Sequence, residues 1–279
     1  MHLTAVFGVN FWKNTEGGKK SENTVRVLTY NAADFVMPYH KDKLAARNGL
    51  NKFFKEQNPE IICLQEGGDL NDYTMKHVAA FFPFLSAYPY QSRQIGNQIV
   101  IYSRFPIVGE GKLDSEKYGN GCNFADVQIG TKKVRVFSLH LTSNRVSGMA
   151  NDLAKSGKIG DDDSWLEFAR MLKLVRSTGI KRTREAESIA SNIQQSPYPV
   201  IVCGDFNEIP VSYVYKTLSN NLSDAFREAA FGFSSTYNGK IPALKIDNIL
   251  MSPNIEARNC KIHSLKYSDH YPITADLIF

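Results

Sequence analysis

Paired cysteines are the first thing this chain lacks. Its four cysteines, Cys63, Cys122, Cys203 and Cys260, show no Cys-x-x-Cys spacing. That disfavours a cysteine-rich zinc site and gives no framework for disulfides. Cys63 and Cys203 sit inside apolar runs and read as buried free thiols. No apolar run is long enough to cross a bilayer, and residues 2–12 lack the basic start and small-residue cleavage site of a signal peptide. A Gly-x-Ser-x-Gly elbow is missing, which argues against a serine hydrolase using His140 or His270. No repeat recurs at a fixed period. Nor is there a large excess of one charge: the net charge is +5, with acids and bases interspersed. Such a balance is compatible with a polyanionic partner without requiring one. The long aromatic or basic inserts of a DNA-groove reader are also wanting.

What is present is ample material for a core, 43% apolar and 11% aromatic over 279 residues. Residues 1–23, moderately apolar and then polar, read as an arm or linker. The same stretch would also follow a membrane anchor lying upstream, and would then hold the protein at a membrane. From residue 24 to 279 strands and helices are mixed and no linker divides them, so one α/β domain is expected.

The central feature is Pro199-Val200-Ile201-Val202-Cys203-Gly204-Asp205-Phe206-Asn207. Its apolar run predicts a strand buried on both faces. Asp205 and Asn207 follow at its C-terminal end, where ligands collect in layered α/β proteins. If the backbone stays extended there, both side chains enter one cleft. An ordinary Asp-x-Asn turn is the equal alternative.

Further strands are expected over 24–30, 60–65, 98–103, 123–129, 133–139, 245–251, 259–267 and 272–278, with a hairpin about Gly130-Thr131. Helices are expected over 43–57, 72–81, 165–176, 181–195 and 212–218, the third capped by Asp163 or Ser164. Residues 104–107 read as a turn leading onward, and 144–163 as a polar loop overhanging whatever follows His140. Arg145, Lys155 and Lys158 in that loop would meet an anionic substrate or simply face solvent. Phe231, Phe233 and Tyr237 would flank a cleft or pack in the core.

The strands share one property. Asn31, Glu66, His140, Asp205 with Asn207, and Asp247 each end or interrupt an apolar run, and Asp269-His270 adds a sixth place. Each alone is open to a bland reading, as a turn, a cap or a solvated edge. Four carboxylates recurring at strand ends are costly to bury without partners, and point to cations.

The set Thr-Tyr-Asn31, Leu-Gln-Glu66, Ser-Leu-His140-Leu-Thr, Gly-Asp205-Phe-Asn207, Ile-Asp247-Asn-Ile-Leu and Ser-Asp269-His270 resembles the endonuclease/exonuclease/phosphatase superfamily. The resemblance runs from about residue 24 to the C-terminus. It implies a four-layer α/β sandwich, two packed mixed β-sheets with helices on the outside. It implies hydrolysis of a phosphate ester of nucleic acid, phospholipid or inositol phosphate by in-line attack of water, with Mg²⁺ or Mn²⁺ as cofactor. The oxygen donors suit such hard cations. By the same resemblance Glu66 is the main metal ligand, with Asn31 near the metal or its water. Asp205 positions or deprotonates the attacking water, supported by Asn207. His270, paired with Asp247, binds a phosphoryl oxygen or acts as the base. Asp269 orients this cluster or takes a second metal. His140 stabilises the transition state or protonates the leaving group.

Two departures bear on the branch. An acidic residue found in some nucleases two positions after the first Asn is here Ala33, although Asp34 follows. His140 stands where abasic-site nucleases tend to carry Tyr, and matches the deoxyribonuclease, sphingomyelinase and inositol-phosphatase branches instead. No obligate protein partner is implied, and a monomer is expected. The alternative class is a catalytically silent phosphate- or metal-binding module on the same fold.

Overall fold

Period-two alternation within the strands decides which way each layer faces. In a computed structural model, residues 24–35, 43–67, 82–94, 98–113, 120–143, 162–232, 234–238 and 244–279 are described. The expected arm 1–23, helix 72–81 and most of the loop 144–163, with Arg145, Lys155, Lys158 and Phe233, lie outside them. The strands are β1 (Thr24–Asn31), β2 (Ile61–Gln65), β3 (Tyr90–Arg93), β4 (Val100–Ser103), β5 (Ile107–Leu113) and β6 (Gly121–Ile129). They continue with β7 (Lys132–His140), β8 (Val200–Asp205), β9 (Ser223–Asp224), β10 (Asp247–Met251), β11 (Glu256–Ile262) and β12 (Ile273–Ile278). The helices are α1 (Lys43–Gln57), α2 (Asp162–Gln194), α3 (Tyr213–Leu218) and α4 (Ala225–Ala229).

Two six-stranded mixed sheets result, in the orders β11-β12-β1-β2-β4-β3 and β5-β6-β7-β8-β10-β9. Val25, Val27, Ile61 and Cys63 of the first sheet pack against Val134, Val136, Ile201, Cys203, Ile249 and Met251 of the second, forming the inner core. The alternate residues face outward. Leu28, Tyr30, Ile62 and Leu64 are covered by Leu50, Phe53 and Phe54 of α1. Phe137, Leu139, Val200 and Val202 are covered by Ala186, Ile189 and Ile193 of α2, and by α3. The order is helix, sheet, sheet, helix, the expected four-layer sandwich. All four cysteines are free and buried.

Several boundaries differ from expectation. The two helices over 165–176 and 181–195 are one continuous α2. It begins at Asp162, so Asp163 and Ser164 lie inside it rather than capping it. Gly179, between the two expected helices, is accommodated with open space around it. A glycine inside a helix costs only about 1 kcal/mol, which the packed face of a long helix offsets. The strand expected over 259–267 is β11, Glu256–Ile262, with a bulge between Arg258 and Lys261. Residues 104–107 lead into a strand, β5, whose Gly109 and Gly111 lie beneath Asp126 and Phe124 of β6.

Gly204 is required where it stands. Its φ is +134°, and a Cβ there would sit 1.9 Å from the Leu139 carbonyl oxygen on the neighbouring strand. We expect Gly204→Ala to lower stability by about 3 kcal/mol or more, read by chemical denaturation.

Candidate active site

The inner-face phase of four strands carries most of the polar residues singled out above. Val25, Val27, Thr29 and Asn31 run up one side of β1, and Ile201, Cys203 and Asp205 up β8. His140 of β7 continues the phase of Val134 and Val136, and Asp247 of β10 that of Ile249 and Met251. Register then brings the ends level. His140 pairs with Asp205 in parallel, Asp247 with Asp205 antiparallel, and Asn31 with Gln65 in parallel. The inner core thus ends in polar groups at one rim. Just below it Gln65 donates to Ser138 Oγ at 3.0 Å and also meets Thr29, a polar floor joining both sheets.

Asp205 Oδ2 is the focus of four nitrogens. Asn31 Nδ2 and Asn207 Nδ2 donate to it, each at 3.2 Å. His140 Nε2 lies 3.6 Å away and His270 Nε2 3.7 Å. The other oxygen, Oδ1, accepts the Asn207 N–H at 2.8 Å. This is an Asx turn, with Asn207 at φ +50°. The extended backbone posited for Asn207 is therefore absent, since the strand ends at Asp205 and the chain turns. The turn still points the Asn207 amide back to Asp205, and to the Leu141 carbonyl at 2.9 Å. Turn and cleft are one structure here.

Glu66 follows β2 at φ +48°, a left-handed conformation that non-glycine residues rarely adopt outside functional or strained places. Its Oε1 meets Asn31 Nδ2 at 3.4 Å and His140 Nε2 at 3.6 Å. Both exceed the length of a good charge-assisted hydrogen bond. Its side chain is 32% exposed while that of Asp205 is 1% exposed, so Glu66 forms the open mouth of the site. The Asn31 amide bridges the two carboxylates, and its oxygen accepts the Ala33 N–H at 3.2 Å. That orientation makes Asn31 a spacer between Glu66 and Asp205.

On the other side His270 Nδ1 donates to Asp247 Oδ2 at 2.9 Å. Burial works against the charge on His270, but Asp247 and Asp205 outweigh it and raise the pKa from 6.5 to about 10. Burial likewise pushes the Asp247 carboxyl up, while the imidazolium pulls it back. The pair is an ion pair with its proton on the ring. Tyr237 lies edge-on to His270 with centroids 5.3 Å apart, flanking the cleft. Phe231, by contrast, is 70% exposed and belongs to no core. Asp269 touches the group indirectly, through the Ser268 hydroxyl at 3.3 Å.

Thr236, which no motif covered, and Ser268, quoted in the Ser-Asp-His motif but assigned no role, shape this cluster. Thr236 Oγ1 accepts the N–H groups of both Ile246 and Asp247, fixing the entry to β10. Ser268 Oγ donates to the Asn31 carbonyl and accepts the His270 N–H, tying the C-terminal motif to β1. A lone Thr in a loop carries no local signal of such reach, and the Ser-Asp-His motif does not by itself tell what its serine bonds.

A donor set of the half-open Glu66 and the buried Asp205 carboxylates, without thiolates, fits a hard divalent cation. Asp205, Asp247 and His270 also bring one ligand atom each within 4.8 Å of one another. Since His270 Nδ1 is engaged with Asp247, we place the open oxygen donors on the Glu66 side.

Two packed mixed sheets ending in this acid, amide and imidazole rim define the four-layer α/β-sandwich fold of the phosphoesterases. The chain belongs to the Endonuclease/Exonuclease/phosphatase family, whose sequence model matches residues 28–270. Members of that family are generally hydrolases of phosphate esters and typically depend on divalent metal. Among similar proteins, human Nocturnin is 29% identical over 181 residues, 61% of this chain. The chain spans 38% of that relative's length. Among solved structures, D. rerio TDP2 complexed with single-strand DNA product superposes with a TM-score of 0.63 at 15% identity, covering 92% of this chain and all of that one. Sphingomyelinase C from Streptomyces griseocarneus does so with a TM-score of 0.60 at 16% identity, covering 91% and 99%. At such identities the likeness is one of fold.

Proposed function

We propose that this protein is a divalent-cation-dependent phosphodiesterase acting by in-line attack of water. The observation that carries the reading is the convergence of four nitrogens on Asp205 Oδ2 beside the half-open Glu66 carboxylate. Glu66 holds the cation, Mg²⁺ or Mn²⁺, which when bound offsets charge on the phosphoryl oxygens. Asp205 is buried and anchored through Oδ1, and its Oδ2, held only by contacts of 3.2 Å and longer, orients a water and accepts its proton. Asn207 and Asn31 keep that carboxylate aimed. His270, held protonated by Asp247, donates from Nε2 to a phosphoryl oxygen. His140, between Glu66 and Asp205, faces the leaving oxygen. Asp269 keeps Ser268 and the His270 backbone in place.

The substrate classes the site suits are nucleic acid, a phospholipid head group and inositol phosphate, of which the DNA-bound TDP2 and the sphingomyelinase illustrate the first two for their own cases. The test is hydrolysis of bis-p-nitrophenyl phosphate, DNA, inositol phosphates and sphingomyelin with Mg²⁺ or Mn²⁺. Glu66→Gln should raise the metal concentration needed for half-maximal turnover by about 10- to 100-fold, since Gln keeps the shape but loses the charge. An unchanged metal requirement removes Glu66 from the metal site. The rival reading, a silent binding module, predicts metal binding by calorimetry with turnover on none of the panel.

A further inference from the structure

The helix α2 reaches both loops that carry this site, through two residues on one face. Arg182 is 2% exposed. Its Nε and Nη2 donate to Glu208 Oε1 at 3.0 and 2.8 Å, and its Nη1 donates to the Thr142 carbonyl at 2.9 Å. One turn further along, Glu185 accepts the Thr142 N–H at 2.9 Å and its hydroxyl at 2.6 Å. Every polar group of Thr142 is therefore taken by the helix. Thr142 lies two residues after His140, and Glu208 directly after Asn207. Between them, Leu141 donates its N–H to the Asp205 carbonyl at 3.0 Å.

A buried guanidinium with these partners is more than strand support. Replacing a buried ion pair with apolar groups is often neutral for stability, so its presence here asks for another role. From this geometry we infer that Arg182, with Glu185 and Glu208, is a positioning residue that sets the separation of His140 from Asp205 and Asn207. It acts by holding the two loops in register, through Thr142 and Glu208. The inference rests on the hydrolase reading for its kinetic consequence. A small shift at either loop would spread the nitrogens around Asp205 Oδ2, which are already at the long end of hydrogen-bond reach.

The whole chain and three variants test this: Arg182→Met, Arg182→Lys and Arg26→Met. Arg26 is the control. It also donates from Nε and Nη2 to one carboxylate, here to Oδ1 and Oδ2 of Asp276 at 2.6 and 2.8 Å, near the N-terminal end of β1 and so at the other end of the sandwich. With bis-p-nitrophenyl phosphate and Mn²⁺, Arg182→Met should lower kcat by about 10- to 100-fold with KM changed by less than about twofold. Arg182→Lys, which keeps the charge without the fork, should fall between. Arg26→Met should melt lower yet keep its kcat. A folded Arg182→Met with near-normal kcat overturns the inference, as does an equal loss in Arg26→Met. Should wild type turn over no ester, the hydrolase reading fails by itself, and histidine-ring NMR decides this one. His140 signals displaced in Arg182→Met but not in Arg26→Met support it, and unmoved signals in both overturn it. If Arg182→Met does not fold, Glu208→Gln and Thr142→Val replace it with the same expected and overturning results.

Discussion

Asp205→Asn is expected to lower kcat by about 1,000- to 10,000-fold while leaving the protein folded. The amide keeps the shape and removes the proton acceptor. On the stability side two effects oppose one another. Removing a fully buried carboxylate relieves a desolvation cost. Yet the substituted side chain would have only one acceptor oxygen for the two amides that now reach Oδ2 and for the Asn207 N–H on Oδ1, so one donor is left facing an NH₂ group. A frustrated buried donor costs about 1–3 kcal/mol, and the net change in stability should stay within about 2 kcal/mol. Turnover of bis-p-nitrophenyl phosphate beside a thermal melt separates the two quantities. A kcat within tenfold of wild type would take Asp205 out of the water-activating role.

The strand ends were readable in the sequence because the period of two carries a residue's side with it. Asn31, His140, Asp205 and Asp247 each continue the inner phase of an apolar strand, so a polar residue ending that phase has to lie at the rim of the inner core. Mixed strand order follows less directly, and of the edge strands only β11 announced itself, while β3, β5 and β9 did not. β5 carries Gly109 and Gly111 because Asp126 and Phe124 of β6 lie across it, a reason that exists only once the two strands pair. The two helices expected over 165–176 and 181–195 are one because a packed helix carries Gly179 through, which nothing local says. The clamp from Arg182 and Glu185 was out of reach for a like reason: a charged pair at three-residue spacing is normally a solvated helix face. Only the burial of Arg182 against Thr142 and Glu208 distinguishes it.

Asp247→Asn should act through the charge of a neighbour. The amide oxygen of the variant can still accept the His270 Nδ1–H, which in wild type lies 2.9 Å from Asp247 Oδ2, so the ring keeps its place. What changes is the proton. With Asp247 present, His270 is held from the ordinary 6.5 to about 10, against burial that works the other way. Without it burial gains ground, and the ring loses its charge at a lower pH. If imidazolium is the form that binds the phosphoryl oxygen, kcat/KM at pH 7.5 should fall by about 100- to 1,000-fold, and the alkaline limb of the pH–rate profile should move down. The stability consequence has a definite sign. A folded pKa above the unfolded value means that this pair's contribution is fully present below about pH 6.5 and is lost as pH rises through about 10. Wild type should therefore lose stability between those values relative to Asp247→Asn. Melts of both proteins from about pH 6 to about pH 10, set beside the kinetic profile, give two independent readings of one proton. An alkaline limb that stays in place in Asp247→Asn would show that His270 carries no charge in the working enzyme.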